Sequence, residues 1–234
     1  MVGKETLLRA WEFICTARAM ASIYEENRPI TKYVHSTSKG HEAIQIATSM
    51  HLKTIDYAYP YYRDESMLLA MGMKPYELML QLLAKADDPF SGGRTYYAHP
   101  SLNRPDIVKM PHQSSATGMQ TIPATGAAHG IKYLESQSLI TSAEKPIVLC
   151  SLGDGSVTEG EVAEAFQMAV LHKLPILYLI QDNDWGISAS GDEMRAMDAF
   201  DYALGFKGMR RVRINGSDFV QCYDEMAKAI EYVR

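Results

Sequence analysis

The sequence is short of cysteine, of long apolar runs and of basic residues, and each shortage excludes a class of protein. Its three cysteines, Cys15, Cys150 and Cys222, lie far apart and form no CxxC pair. This usage is typical of a reduced, cytoplasmic protein rather than a disulfide scaffold. The apolar runs, such as 176–180, are far shorter than the ~20 residues of a membrane-spanning helix. We therefore expect no membrane span.

The charge balance argues against a nucleic-acid-binding protein. The chain has 23 Lys+Arg against 28 Asp+Glu, a formal charge of −5, and no basic stripe. We therefore expect no nucleic-acid partner. The N-terminus also lacks the pattern of a secretory signal. With 47% hydrophobic and 22% charged residues, the composition is that of a globular protein, and we expect residues 1–234 to form a single domain.

Four segments of the chain have helical character. Residues 6–26 carry apolar side chains at a helical spacing, which predicts an amphipathic helix. Further helices are predicted from about residue 39, over 64–86 with a break at 72–75, and over 123–137. Residues 56–63 (DYAYPYYR) are aromatic and contain a proline, so we expect a loop or a short extended piece.

Residues 87–117 show little periodicity and contain several prolines and glycines. A loop of ~30 residues is too long for a simple connection, since most have ~4–6 residues. One reading is a flexible surface excursion, and the other is a binding loop that orders around a ligand. The sequence does not choose between them.

The second half of the chain predicts an α/β fold with a parallel sheet flanked by helices. Two apolar runs, 146–152 and 174–180, flank a helical segment at 159–172, and such a strand–helix–strand unit requires a parallel sheet. A third strand is predicted at 212–214, followed by a helix capped by Ser217-Asp218. The chain stops at Arg234 with that helix barely finished. We therefore expect the domain to be incomplete at its C-terminus.

Two turns that follow these strands carry the residues of a metal site. Asp154 lies within Gly153-Asp154-Gly155 after the first run, and Asn183 follows the second. Neighbouring parallel strands end side by side, so we expect these two oxygen ligands to meet, with a carbonyl near Trp185 as a third. Such hard ligands suit Mg²⁺, which bridges phosphates. The alternative is a pair of tight turns with polar caps.

The spacing of GDG and Asp182-Asn183, with 26 residues between them, is similar to the thiamine diphosphate motif. Together with the rest of the chain it resembles the α subunit of the E1 component of 2-oxo acid dehydrogenase complexes, an oxidoreductase family. The other matching segments are 38–43 (SKGHEA), 62–64 (YRD), 93–94 (GR) with His99, 114–115 (SS), 126–128 (GAA), 164–166 (EAF) and 173–175 (KLP). Of these, 62–64 and 93–94 look closer to the branched-chain type than to the pyruvate type.

The resemblance implies a thiamine diphosphate-binding fold and assigns a role to each matching position. It makes Asp154, Asn183 and Trp185 the Mg²⁺ ligands, the last through its carbonyl, and His99 an active-site loop histidine. The residues that it implies for cofactor binding are Tyr62, Arg63, Ser115, Gly153, Gly155, Ser156 and Gln181.

The chain departs from the family pattern at three places. Asp182 stands where most members have asparagine. Gln181 stands where many have an arginine, so one positive charge toward the diphosphate is missing. The family's catalytic histidine loop would follow the next strand, beyond Arg234.

The resemblance implies oxidative decarboxylation of a 2-oxo acid, branched-chain first and pyruvate second, in a cytoplasmic protein. Thiamine diphosphate attacks the 2-oxo carbon and holds the carbanion after CO₂ leaves. The site would be shared with an E1 β-type chain or domain in a homo- or hetero-oligomer, and the acyl group would pass to lipoyl-bearing E2. The alternative is a catalytically incompetent cofactor-binding or assembly fragment of such an enzyme. A nicotinamide-binding domain is disfavoured, because the GxGxxG spacing is missing.

Overall fold

A three-stranded parallel sheet organises the chain, which a computed structural model describes over residues 2–33, 36–140 and 142–234. The strands are β1 (Tyr57–Tyr59), β2 (Val148–Gly153) and β3 (Ile176–Gln181), in the order β1-β2-β3. The central strand β2 pairs with β3 along its whole length and with β1 over its first three residues, 148–150. The predicted α/β class is confirmed.

Helices cover both faces of this sheet. Among the described residues, no helix has an apolar stretch of the length that crossing a membrane requires. The helices are α1 (Lys4–Glu26), α2 (Glu42–Ser49), α3 (Glu65–Ala70), α4 (Pro75–Leu82), α5 (Thr121–Ser136), α6 (Gly160–His172), α7 (Gly191–Met194), α8 (Ala199–Tyr202) and α9 (Phe219–Val233). A small antiparallel pair, β4 (Trp185–Gly186) and β5 (Ala189–Ser190), follows β3.

The core is divided by the sheet into two clusters. Leu149 of β2 packs in the cluster that contains residues of α1–α4 and α9. Its neighbours Val148 and Cys150 point the other way, into the cluster that contains residues of α5 and α6. A strand that is buried on both faces needs apolar residues at successive positions. This is why β2 reads as a continuous apolar run in the sequence.

Most of the predicted elements are present. The helices predicted at 6–26, 123–137 and 159–172 are α1, α5 and α6, and the strands predicted at 146–152 and 174–180 are β2 and β3. The segment 56–63 contains β1, so the prediction of a short extended piece is confirmed. The last helix, α9, is capped by Asp218, whose Oδ1 accepts a hydrogen bond from the Gln221 N–H at 3.1 Å.

The predicted strand at 212–214 is wrong. Residues 212–214 form no strand, and β3 is an edge strand among the described residues. The guanidinium groups of Arg211 and Arg213 lie over the ring of Phe200, 4.3 and 4.7 Å from its centroid. These contacts fix the segment by its side chains, in place of a backbone ladder with β3.

The long irregular segment 87–117 is an internal layer of the fold. Its buried residues include seven apolar ones: Phe90, Tyr97, Ala98, Leu102, Ile107, Val108 and Met110. Leu102 and Met110 also bond to each other through their backbones. The reading of a surface excursion is therefore wrong, and the binding-loop reading stays a prediction.

Asp88 fixes the beginning of this segment, and we expect Asp88→Ala to lower the free energy of unfolding by about 2 kcal/mol. Its carboxylate is buried and accepts hydrogen bonds from the N–H groups of Phe90, Ser91 and Gly93 at 2.9–3.2 Å. Removal leaves buried donors without an acceptor, which costs about 1–3 kcal/mol. Urea unfolding checks the value. The neighbouring Asp87 is exposed, so an equal loss in Asp87→Ala would contradict this role.

Candidate functional site

The ends of β2 and β3 bring two polar loops together. Gly153 and Gln181, the last residues of these strands, are paired in register. The loop after β2 begins with Asp154 in a 3-10 turn and continues into α6. The loop after β3 begins with Asp182. In a parallel α/β sheet, ligands bind at this carboxyl edge, as the sequence predicted.

Three carboxylates and one guanidinium form the centre of this edge. The carboxylate oxygens of Asp154, Asp182 and Asp184 lie within 4.8 Å of one another. Asp154 is 2% exposed, whereas the other two lie at the surface. Arg195 donates from Nη1 to Asp154, and from Nη2 to Asp182 at 3.2 Å and to Asp184 at 2.9 Å. We call these four residues the carboxylate cluster.

The charges of the carboxylate cluster do not cancel. Burial raises the pKa of Asp182, and the nearby Asp154 carboxylate raises it further. Burial lowers the pKa of Arg195, but its ion pairs with the three aspartates outweigh this, so the pKa stays above its ordinary value. With all groups ionised, three negative charges face one positive charge. The cluster therefore attracts cations.

Asn183 and Trp185 lie in the same loop but make local contacts. The Asn183 Oδ1 accepts a hydrogen bond from the Trp185 N–H at 3.0 Å, and its Nδ2 lies 3.4 Å from His41 Nε2. Trp185 begins the β4–β5 hairpin and its side chain is exposed. Among the described side chains, those that converge on Asp154 are Asp182, Asp184 and Arg195. The predicted role of Asn183 as a metal ligand stays a prediction.

The predicted diphosphate residues Tyr62 and Arg63 follow a segment that packs against the end of β2. A Cβ at Gly153 would lie 3.3 Å from the ring of Tyr61, so the close approach requires glycine. The Arg63 guanidinium lies 5.5 Å from the Tyr62 ring centroid and donates to the Thr37 carbonyl at 3.3 Å. Arg63 thus has a fixed position near the two strand ends.

Gln181 lies beneath the site in a buried hydrogen-bond network. Its Nε2 donates to Asp64 at 2.6 Å and to Ser151 at 2.8 Å, and its Oε1 accepts from Gln45 at 2.8 Å. Gln181 is 4% exposed. Its amide therefore joins α2, β2 and the 61–64 segment, and its cofactor-binding role stays a prediction.

A groove of about 1220 Å³ runs from these strand ends along β3. Its lining at the site end includes Lys39, His41, Arg63 and Asp182. Burial lowers the pKa of His41, and the Arg63 charge lowers it further. His41 is therefore a neutral, half-buried ring at neutral pH. His41 is the N-cap residue of α2, and it lines the groove beside Asn183.

Within the described ranges, His99 and Ser115 make no hydrogen bond or ion pair with the carboxylate cluster. His99 is buried, its Nδ1 lies 2.8 Å from the Tyr97 carbonyl, and burial lowers its pKa. Ser115 is exposed on the segment that leads into α5. The roles of both residues stay predictions.

The turn of Gly153, Gly155 and Ser156, whose diphosphate-binding role stays a prediction, is closed by a local hydrogen bond. Ser156 is buried, and its Oγ donates to the Gly153 carbonyl at 2.7 Å, which closes the turn. Gly155 is half-buried, and a Cβ there would lie 3.6 Å from the Gly186 Cα. The turn is thus enclosed by the loop after β3, at the N-terminal side of α6.

Sequence reasoning did not identify Asp184 or Arg195. The available signal was the Asp182-x-Asp184 pair directly after an apolar strand, which is a pattern of oxygen ligands. Arg195 gave no local signal, because it lies 41 residues from Asp154 in the chain. The fold alone brings them together.

Comparison with known proteins shows what this chain is similar to. A family model described as dehydrogenase E1 component matches residues 14–234. The 2-oxoisovalerate dehydrogenase subunit alpha of Bacillus subtilis is 34% identical over 200 residues, which cover 84% of this chain and 56% of that protein. The pyruvate dehydrogenase E1 component subunit alpha of Rickettsia bellii is 30% identical over 202 residues, covering 83% and 56%. The chain thus spans about half the length of these relatives.

A solved structure has a similar fold. A Mycobacterium smegmatis protein described as a thiamin diphosphate-dependent enzyme aligns with a TM-score of 0.50 and 17% sequence identity. The alignment covers 86% of this chain and 30% of that one. At this identity the similarity concerns the fold, and it agrees with the thiamine diphosphate-binding fold that the sequence predicted.

Proposed function

Because this chain belongs to the dehydrogenase E1 component family, we propose that it is the diphosphate-binding part of a thiamine diphosphate-dependent 2-oxo acid dehydrogenase. The observation that carries the proposal is the buried Asp154 at the carboxyl end of β2, with Asp182 and Asp184 beside it. Thiamine diphosphate, when bound, supplies the chemistry that holds the electrons left by decarboxylation. The protein supplies binding and orientation.

The donor chemistry of the carboxylate cluster fits Mg²⁺. This ion takes oxygen ligands and joins carboxylates to substrate phosphates. Asp154 would hold the ion. The further ligands that we propose are Asn183 and the Trp185 carbonyl, which both lie in the loop after β3. Asp182 and Asp184 add two carboxylates within 4.8 Å. The three carboxylates, which together outnumber the one guanidinium among them, supply the negative charge that a divalent cation requires.

The diphosphate would be held by the turn after β2 and by Arg63. The turn of Gly155 and Ser156 lies at the N-terminal side of α6, and helix N-termini favour phosphate. Arg63 suits phosphate because its planar guanidinium can donate two parallel hydrogen bonds. Its fixed position over Tyr62 lowers the entropy lost on binding. Ser115 and Gln181 are proposed as further contacts, and His99 as the loop histidine.

We propose a branched-chain 2-oxo acid as the substrate and pyruvate as the second candidate. The B. subtilis branched-chain relative, at 34% identity, supports the first candidate, and the R. bellii pyruvate relative, at 30%, supports the second. The partners proposed are an E1 β-type chain, which completes a shared site in an oligomer, and lipoyl-bearing E2, which takes the acyl group. A cytoplasmic location also belongs to the proposal.

The test is calorimetric titration of this chain with thiamine diphosphate, with and without Mg²⁺. We expect binding that requires Mg²⁺ and that weakens at least about 100-fold in Asp154→Ala. Replacement of residues that only support metal ligands already lowers metal affinity about 10–100-fold. Asp154 is the buried carboxylate of the cluster, so we expect its loss to have at least the larger effect.

Asp192→Ala is the matched control. It removes an exposed carboxylate from the neighbouring α7 that is outside the cluster. Equal binding by wild type and Asp154→Ala, with or without an added E1 β-type chain, would overturn the assignment.

A further inference from the structure

We infer that Arg195 is an internal counter-ion that competes with a divalent cation for the carboxylates of Asp154, Asp182 and Asp184. The inference rests on the proposed function, because it concerns the proposed metal site. It adds a consequence: a cation that binds here must compete with the guanidinium of Arg195 for the carboxylates. The metal affinity of the protein is therefore set partly by Arg195.

The contacts of Arg195 engage all three carboxylates at once. Nη1 donates to Asp154, and Nη2 donates to both Asp182 and Asp184. The Arg195 side chain is only 7% exposed. It is therefore part of the interior of the site, and not a solvated surface group that approaches it by chance.

The local backbone is arranged to hold Arg195 in this position. The Gly191 N–H donates to the Asp184 carbonyl at 2.9 Å, and the Arg195 N–H donates to the Gly191 carbonyl at 3.0 Å. A Cβ at Gly191 would overlap the Asp184 carboxylate and lie 2.9 Å from Arg195 Nη2. A larger residue at position 191 would therefore push the Asp184 and Arg195 side chains out of these positions.

A guanidinium and a metal ion compete for these three carboxylates. Mg²⁺ needs direct contact with carboxylate oxygens in a near-octahedral arrangement. Arg195 already donates to one oxygen of each carboxylate, and two cations side by side repel each other. Binding of one therefore opposes binding of the other.

Competition from Arg195 reduces the apparent affinity of the protein for the metal. A ligand that binds only one of two states has its affinity lowered by the fraction of that state. When Arg195 pairs with the cluster most of the time, Mg²⁺ must displace it. Removal of the guanidinium should therefore strengthen binding of the metal alone, although it removes a polar group from the site.

The experiment is calorimetric titration of the whole chain with MgCl₂ alone. We expect Arg195→Gln to bind Mg²⁺ about tenfold more tightly than wild type, a change of about 1.4 kcal/mol. Arg213→Gln is the matched control, because it removes a positive charge from the same groove without touching the cluster. Its Mg²⁺ affinity should equal that of wild type.

Thermal melting gives a second readout that needs no catalytic activity. In EDTA we expect Arg195→Gln to melt about 5 °C or more below wild type, because the buried Asp154 loses its partner. Saturating Mg²⁺ should then raise the melting temperature of the variant more than that of wild type. If Arg195→Gln does not fold, Arg195→Lys keeps the charge but not the planar fork, and it should bind Mg²⁺ more tightly than wild type.

The outcomes separate this inference from the proposed function. Unchanged or weaker Mg²⁺ binding by the Arg195 variants overturns the inference, whatever thiamine diphosphate does. Tighter Mg²⁺ binding by the variants, with no thiamine diphosphate binding by either protein, supports the inference and overturns the proposed function. Failure of both wild type and variants to bind Mg²⁺ overturns both.

Discussion

Replacing Asp56 with alanine is expected to lower the free energy of unfolding by about 3–5 kcal/mol, the largest effect that we predict for a single side chain. Asp56 is fully buried. Its two carboxylate oxygens accept hydrogen bonds from Arg234 at 2.9 and 2.8 Å. Loss of one partner of a buried ion pair leaves the other charge uncompensated, which typically costs about 3–5 kcal/mol.

Asp56 also joins parts of the chain that are distant in sequence. Its carboxylate accepts the Lys53 N–H at 2.8 Å and the Ile147 N–H at 3.0 Å, while its carbonyl accepts the Lys109 N–H at 3.0 Å. The entry to β1, the entry to β2 and the C-terminal end of α9 thus meet at one side chain. This position is why we expect a global loss of stability rather than local fraying.

Urea unfolding followed by circular dichroism measures the effect of Asp56→Ala. Glu225→Ala is the control, because it breaks the ion pair between Glu225 and Lys228. The side chain of Glu225 is 31% exposed and that of Lys228 is 63% exposed. Exposed pairs contribute little, so the control should unfold close to wild type. Equal midpoints for the two variants would contradict the structural role of Asp56.

The elements that sequence predicts well are those whose signal is local. The runs at 148–153 and 176–181 are apolar because strands with helices on both faces need apolar residues at each position. The strand predicted at 212–214 failed because a strand needs a partner. There Arg211 and Arg213 pack on the ring of Phe200 instead. The local sequence pattern shows neither the lack of a partner strand nor this contact.

The candidate site divides in the same way. Asp154 and the 182–184 loop could be predicted, because turns after parallel strands meet at one sheet edge. Arg195 could not, since its contact with Asp154 spans 41 residues. The bond from Gln45 to Gln181 spans 136 residues. Contacts of this kind depend on how the loops and α2 pack, so only the fold reveals them.

The buried Asp64 is expected to make stability fall as the pH rises from about 4 to about 6. Asp64 is fully buried, and burial raises its pKa to about 6, although hydrogen bonds from Tyr61 and Gln181 oppose this. In the unfolded chain its pKa returns to about 3.9. The folded protein therefore holds the Asp64 proton more tightly than the unfolded chain does. The stabilisation that results is complete below about pH 4 and lost above about pH 6.

The size of this effect follows from the shift. A raised pKa of about two units corresponds to about 3 kcal/mol, so the difference in unfolding free energy between wild type and Asp64→Asn should fall by about 3 kcal/mol from pH 4 to pH 7. Glu193→Gln is the control of opposite sign. Hydrogen bonds from Ser190 lower the pKa of Glu193, so its contribution is present at neutral pH and lost as the pH falls.

Denaturation series at closely spaced pH values, run on wild type and both variants, separate these contributions from the other carboxylates. The decisive quantity is the slope of the wild-type-minus-variant difference, because groups common to both proteins cancel in it. A flat difference for Asp64→Asn would mean that Asp64 titrates as it does in the unfolded chain. A difference that rises with pH would mean that its bonds to Gln181 and Tyr61 outweigh its burial. Either result would contradict a pKa of Asp64 that is raised by burial.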